Sequence, residues 1–404
     1  MLSQHSLWAR GGSSQVSLRK PVVVHVITRL IVGGAQLSVV GLCEALRERY
    51  DVRLLSGPEE GPEGSLRAQA AETVPLQIVS SLRRDVHPRH DLAAAIALRR
   101  ELAESKPALV HTHSSKAGIL GRLAGIRTGA KLVHTVHGWG HTAADSHVRR
   151  SVFIHAERSV ARWTDALVAV SPEVREEGLH RRIGRPDLYY VIPEFVDLRP
   201  KNSQFATSRE HARRALGLEA DDEVVGWVGR FVPQKDPETL VRSLELILAS
   251  RAAARAVLVG DGPMRRQTHQ LLEASGFGDR VSFLGLRPDV RSLYAAFDVL
   301  VHPSRWEGQP RVIQEAIAER VPVVATRVAG TRDLIDEGRT GYSTRPGDGE
   351  GLASLVIKVL EGTSLRAPLP EDVVAGIAAR HGREVALQGH LELYERLLAA
   401  PDSA

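Results

Sequence analysis

The chain has 404 residues, 43% of them hydrophobic and 25% charged, which is the balance of a globular protein and too long for one ordinary core. A single cysteine, Cys43, excludes an intrachain disulfide and points to a reducing compartment; no stretch is apolar enough to span a bilayer, and residues 1–20 read as a disordered tail rather than a signal peptide. The net charge of +5 divides into +7 over residues 1–200 and −2 over the rest, so the first half suits an anionic ligand or membrane surface, or reflects a general preference for arginine; an aromatic content of 4% without a nucleic-acid module speaks against a nucleic-acid partner.

Pro21 to Ile27 reads as a buried parallel strand, followed by Gly33-Gly34 and an apolar-periodic helix from Gln36 to Arg49. A short strand, Val52 to Ser56, precedes a Gly/Pro/Glu loop over 57–64. Helix Leu92–Ser105 then leads to strand Leu109–His113, helix Ala117–Gly125 to strand Lys131–Val136, and helix His147–Thr164 to strand Ala166–Val170. Beyond residue 195 the pattern restarts. Strand Val224–Val228, helix Pro237–Ser250, strand Ala256–Val259 and helix Pro263–Ser275 precede strands at Val281–Phe283, Val299–Val301 and Val321–Ala325. Such alternation implies parallel sheets, hence an α/β chain of two doubly wound Rossmann-like units, 21–195 and 196–382, joined near Val191 to Arg199. Residues 383–404 supply a last helix, periodic from Val385 to Leu398, and a tail. The crevice between the units is the natural ligand site.

The densest motif is Ser304-Arg-Trp-Glu307-Gly-Gln309-Pro310-Arg311-Val312-Ile-Gln-Glu315, after the strand that ends at Pro303. The order is strand, loop, helix, with Glu307 on the loop and Glu315 inside the helix. Pro310 suits the first helical turn, and the N–H groups of Arg311 and Val312 then offer a phosphate seat. Two acids placed this way suit two hydroxyl-bearing parts of one ligand, as in a nucleotide sugar. Breaking a sugar–diphosphate bond loads negative charge on the leaving group, which needs a metal or fixed cations. No Asp-x-Asp pair occurs, whereas Gly229-Arg230 and Lys235 follow a strand at the mouth of the crevice. His111, His113 and His137 raise a metal as an option, but no carboxylate or cysteine beside them in the sequence completes a ligand set.

The Glu307–Glu315 stretch resembles the E-x7-E motif of retaining glycosyltransferases of the GT-B architecture, above all family four. Gly33-Gly34, His134-Thr-Val-His137-Gly138, the Gly229-Arg230 to Lys235 spacing, Gly260-Asp-Gly262 and Val281-Ser-Phe-Leu284-Gly285 are similar to the family's pattern in the same order, over residues 22–398. The resemblance implies a final helix crossing back to the first unit, which binds acceptor, while the second binds a nucleotide-diphosphate sugar. It implies that His137, Glu307, Arg230 and Lys235 carry catalysis, Arg230 and Lys235 clamping phosphate, Glu307 and His137 orienting the sugar. Donor binding falls to Gly34, Arg230, Lys235, Gly262, Leu284, Gln309, Pro310, Arg311, Val312 and Glu315, the last on the ribose. Acceptor binding falls to Gly33, Gly34, His113 and Lys116, with His134 an alternative to His137. No metal and no cofactor is expected beyond the sugar nucleotide. The acceptor implied is a lipid-linked or polysaccharide glycan hydroxyl, placing the enzyme in the cytoplasm with peripheral contact at the inner face of the membrane. A small natural product such as an aminocyclitol is the rival acceptor; a nucleotide-sugar epimerase, a sugar-phosphate synthase or a non-catalytic binding protein are the rival functions. Two departures stand out: Glu194-Phe195 where the family has Asn-Gly, and Gln309-Pro310 in place of a common Phe-Gly.

Overall fold

The computed structural model describes residues 19–59, 63–139, 147–199, 205–362 and 365–399; the expected tail over 1–20 lies outside them except for its last two residues. The first unit runs β1 (Val22–Ile27), α1 (Gly34–Leu46), β2 (Asp51–Ser56), α2 (Arg67–Thr73), β3 (Leu76–Ile78), α3 (Pro88–Ser105), β4 (Leu109–His113), α4 (Ser115–Gly125), β5 (Lys131–Val136), α5 (His147–Val160), β6 (Ala166–Ala169), α6 (Pro172–His180) and β7 (Tyr189–Val191). The second runs α7 (Phe205–Ala215), β8 (Glu223–Val228), α8 (Pro237–Ser250), β9 (Ala254–Val259), α9 (Arg265–Ala274), β10 (Val281–Gly285), α10 (Val290–Leu293), β11 (Val299–His302), α11 (Arg311–Ala318), β12 (Val323–Thr326), β13 (Gly341–Thr344), α12 (Gly349–Leu360) and α13 (Glu371–His381), and α14 (Arg383–Ala399) ends the chain.

Both sheets are parallel, in the orders β3-β2-β1-β4-β5-β6-β7 and β10-β9-β8-β11-β12-β13. Order therefore reverses beside β1 and β8, where ligand crevices open at the strands' carboxyl ends. Register levels those ends: Ile27 pairs with His113, and His113 with Thr135. The buried strands read as continuous Val/Leu/Ile runs because helices cover both faces.

The helix expected over 147–164 gives way to a 3-10 turn at Ala161–Trp163, and the strand expected from Val321 begins at Val323, after Pro322. The helix expected from Pro263 starts at Arg265, since the turn before it holds Gly262 at φ +152°. At Gly382 the chain leaves α13, and α14 then crosses to the first unit, where Tyr394 is fully buried in a core shared with Leu42, Cys43 and Leu46 of α1. Among the described residues no helix is long and apolar enough to cross a membrane.

Candidate active site

A cleft of about 900 Å³ lies between the units, lined by the ends of β1, β5, β8 and β9 and the start of α11. On the second unit, Lys235 follows β8 on a short turn and gives its ammonium to Glu307 Oε1 at 2.6 Å; His302 Nε2 at the end of β11 lies 3.1 Å from the same oxygen. Burial alone would raise the Glu307 carboxyl, but Lys235 and His302 outweigh it and hold it far below the usual carboxylate range. Pro310 sits at the N-cap of α11, one place before the first turn expected for it, and Ile313 N–H bonds to its carbonyl at 3.1 Å. The N–H groups of Arg311 and Val312 are left without an intrahelical acceptor. Arg311 Nε donates to Glu315 Oε1 at 2.7 Å and Tyr294 O–H to Glu315 Oε2 at 3.2 Å.

Arg230 reaches across the cleft. Its guanidinium donates to Glu63 Oε1 at 2.7 Å, and Arg29 of the first unit donates to Glu63 Oε2 at 2.8 Å. Against burial, the two arginines hold the Glu63 carboxyl below its ordinary value. Gly308 permits the close approach of the units, whereas Gly34 has room for a Cβ in ordinary contact. A Cβ on Gly308 would fall 1.8 Å from the His137 carbonyl oxygen, and one on Gly34 would stand 3.5 Å from Arg311 Cβ.

On the first unit, His137 follows β5 with Nδ1 at 2.7 Å from Glu194 Oε1 and Nε2 at 3.1 Å from His113 Nδ1. Burial would raise Glu194, yet the neighbouring His137 keeps it below the carboxylate norm. An ionised carboxylate can only accept, so in the neutral tautomers each hydrogen bond points towards Glu194: His25 Nδ1–H to His113 Nε2 at 3.0 Å, His113 Nδ1–H to His137, His137 Nδ1–H to Glu194. Burial lowers His25 to about 3 and drives His111 and His113 well below the histidine norm, so all three are neutral. Ligand atoms of His25, His111 and His113 lie within 4.8 Å of one another. Every ring nitrogen of the three has a partner, Tyr394 O–H and Thr135 serving His111, so they form a satisfied polar core.

Of the residues singled out in the sequence, Gly33, Gly34, His137, Arg230, Lys235, Glu307, Gln309, Pro310, Arg311, Val312 and Glu315 line this cleft. Four do not. His113 is buried behind His137. Lys116 is held by Asp91 at 2.5 Å and by the Asp85 carbonyl. Gly262 shapes a turn in which a Cβ would meet the Phe231 carbonyl oxygen at 2.7 Å, and Gly260 faces the cleft instead. Leu284 packs on the second core, leaving Leu286 and Arg287 on the wall. His134, the alternative to His137, is buried with Nδ1 on Thr112.

Sequence reasoning passed over Glu63, Arg84, Trp139, Arg150, Glu177 and Arg181, and took Glu194 only as a departure from the family pattern. The signal for Glu194 lay in the two departures from the family pattern, which meet in space: Glu194 N–H donates to Gln309 Oε1 at 2.7 Å, and Gln309 Nε2 reaches His381 Nδ1 at 3.2 Å. The Gln309 side chain thus ties the linker to α13 and leaves only its backbone for a ligand. Glu194 Oε2 is buried without a hydrogen-bond partner among the described residues.

Known proteins accord with this arrangement. Residues 32–199 match the description of glycosyltransferase family 4, and residues 222–362 that of the glycosyl transferases group 1. The chain is 28% identical over 344 residues to the UDP-Gal:alpha-D-GlcNAc-diphosphoundecaprenol alpha-1,3-galactosyltransferase of Escherichia coli, covering 84% of this chain and 88% of that one. It is 30% identical over 340 residues to the D-inositol 3-phosphate glycosyltransferase of Acidothermus cellulolyticus, covering 79% and 74%. In fold it is similar to HepE of Anabaena solved with UDP-glucose, with a TM-score of 0.80 at 23% identity over 93% of this chain and 100% of that one. Two Rossmann-like units closed by a returning helix, with both halves matched, show that the chain belongs to the GT-B glycosyltransferases of family four.

Proposed function

We propose that the protein transfers a sugar, with retention of configuration and without a catalytic metal, from a nucleoside-diphosphate sugar to a hydroxyl of a lipid-linked or polysaccharide glycan. The observation that carries this reading is the convergence of Arg230, Lys235 and the open N–H groups of α11 on one wall of the cleft, with Glu307 and Glu315 beside them. Fixed donors aimed at a departing diphosphate stabilise charge as it develops, at no reorganisation cost. In this reading Arg230 releases Glu63 and turns to the diphosphate, and Lys235 spans Glu307 and a phosphate oxygen. Glu307 accepts from sugar hydroxyls, and Glu315 accepts from the ribose.

His137 has both ring nitrogens engaged, so it presents its ring edge to the sugar, and Glu194 fixes its orientation. The acceptor oxygen attacks the anomeric carbon on the face the leaving group departs from. The bond from that carbon to phosphate oxygen breaks, the bond to acceptor oxygen forms, and the acceptor's proton passes to the departing phosphate. Work in a reducing cytoplasm, at the inner membrane face, accords with one buried cysteine and a basic first half. The test is proton NMR of products from UDP-, GDP-, ADP- and dTDP-sugars in the presence of chelator. An anomeric coupling of the donor's own configuration supports the reading; an inverted product, or turnover that stops with chelator, contradicts it.

A further inference from the structure

We propose that Glu194 is a specificity-determining residue for the donor sugar: with Glu307 it makes a two-carboxylate subsite that takes a hydroxyl or amino group of a neutral or amino sugar and turns away a uronic acid. Three hydrogen bonds fix its place. Glu194 Oε1 accepts from His137 Nδ1–H at 2.7 Å, the Glu194 N–H donates to Gln309 Oε1 at 2.7 Å, and the next N–H, of Phe195, is held by Ser38 Oγ of α1 at 2.7 Å. The loop that carries Glu307 closes on the same point. Gly308 lies against the His137 carbonyl, and a Cβ on Gly138 would stand 3.6 Å from the Gly308 backbone. Both carboxylates line the cleft, and this contact brings their segments together.

Each carboxylate spends one oxygen on the protein. Glu307 Oε1 takes Lys235 at 2.6 Å and His302 at 3.1 Å, while Oε2 has the Gln234 amide at 3.4 Å. Glu194 Oε2 has no hydrogen-bond partner among the described residues, although Glu194 is only 5% exposed. A buried acceptor left unpaired is costly, so a ligand hydrogen belongs on it when the cleft is filled. The group is ionised: burial opposes the charge, and His137, Ser38 and Arg311 together outweigh it. Among the described residues no Lys or Arg forms an ion pair with Glu194, whereas Glu307 has Lys235. The subsite therefore carries uncompensated negative charge beside His137. Sugar hydroxyls or an ammonium answer that charge, and a sugar carboxylate is repelled by it. Glu194 stands where the family pattern has Asn-Gly, and a neutral amide there would not discriminate by charge, so the selection belongs to this chain's own residue. The inference rests on the transfer reading above, since it takes His137 and Glu307 as walls of the sugar subsite.

The test measures dissociation constants by calorimetry for the full chain, wild type and Glu194→Gln, in whichever of the UDP, GDP, ADP or dTDP series it binds. A Gln amide oxygen can still accept from His137, so the variant keeps the ring in place and replaces the open acceptor with an amide N–H. The probes are the bare nucleotide, its glucosyl or galactosyl donor (whichever binds tighter), the 2-, 3-, 4- and 6-deoxy analogues of that donor, and the matching uronosyl donor. Wild type should lose about tenfold or more when one of the hydroxyls is removed, and Glu194→Gln should lose no more than about threefold at the same position. Uronosyl affinity relative to the parent donor should rise about tenfold or more in the variant, with bare-nucleotide affinity kept within about twofold. Either ratio staying at its wild-type value would overturn the assignment, because a residue that only positions His137 weakens all donors alike. A wild type indifferent to every deoxy analogue would overturn it as well, whatever the variant does. Should Glu194→Gln melt early, Glu194→Asn takes its place under the same criteria. Failure of every nucleotide and nucleotide sugar to bind the wild type would overturn the donor reading and this inference with it, whereas nucleotide binding without the expected sugar ratios would overturn the Glu194 assignment alone.

Discussion

The two halves of the cleft handle charge in opposite ways. On the donor side each cation already holds a carboxylate: Arg29 and Arg230 share Glu63, Lys235 has Glu307, and Arg311 has Glu315. On the first-unit wall Arg84 and Arg150 have no such partner among the described residues, and Arg181 shares the field of Glu177 with Arg150. The difference separates cations that must exchange partners to meet a ligand from cations that hold none. In the proposed reading a donor diphosphate replaces Glu63 on Arg230, so part of its binding energy goes into breaking that ion pair.

The comparison can be broken most severely at Gly308. Gly308→Ala puts a methyl carbon where the His137 carbonyl oxygen stands, so the units must part; kcat/KM should fall on the order of 10²-fold or more, with a lowered melting temperature. Steady-state kinetics beside a thermal melt checks this, and wild-type rates would contradict the closed geometry. Next in size is Lys235→Ala, which strips the leaving group of a fixed cation and leaves Glu307 with His302 alone; kcat should drop about 10²-fold, read as nucleotide release. Arg230→Ala should lower kcat more than it raises the donor KM, because its contact matures as the diphosphate departs. Glu315→Ala should weaken donor binding about tenfold with a smaller change in kcat, since it removes a ground-state contact. The smallest change carries the opposite sign. Glu63→Gln should tighten nucleotide binding roughly threefold by freeing Arg230, and a loss of affinity would show that Glu63 is not a place-holder.

Acid sharpens the same contrast through stability. His25, lowered to about 3, and His390, lowered to about 4, are neutral in the fold because of burial, as are His111 and His113. Unfolding restores pKa values near 6.5, so the unfolded chain binds more protons below that pH. Stability is then full above about pH 6.5 and falls as pH drops towards 4, by up to about 1.4 kcal/mol per pH unit for each histidine. Melting temperatures at pH 7.5, 6 and 5 should decline in that order; a flat series would contradict the neutral cluster.

Much of the frame was legible because it rests on local pattern. Val22–Ile27, Leu109–His113 and Lys131–Val136 are short runs mainly of Val, Leu, Ile, Thr and His, almost wholly buried, and their bounds differ little from expectation. β3, β7 and β13, with 3, 3 and 4 residues, carry too little periodicity to stand out and form because a neighbouring strand offers an edge. Site residues divide the same way. Those tied to a motif at a strand end, such as Arg230, Lys235 and Glu307, fall on the cleft. Lys116 and His113 lie at a strand end too, but Asp91 and His137 claim their polar atoms, and no spacing announces such a partner. Glu63 lies far in sequence from Arg230, as does Glu194 from Gln309, so only the folded chain brings these partners together.

The central claim is that Arg230 and Lys235 neutralise the donor diphosphate. It is tested most directly by thermal stabilisation of the wild type, Arg230→Ala and Lys235→Ala with UDP, GDP, ADP and dTDP in excess chelator. The account predicts that one nucleotide series raises the wild-type melting temperature undiminished by chelator, and that each variant loses most of that rise. A rise that chelator abolishes, or one that both variants keep in full, would contradict it.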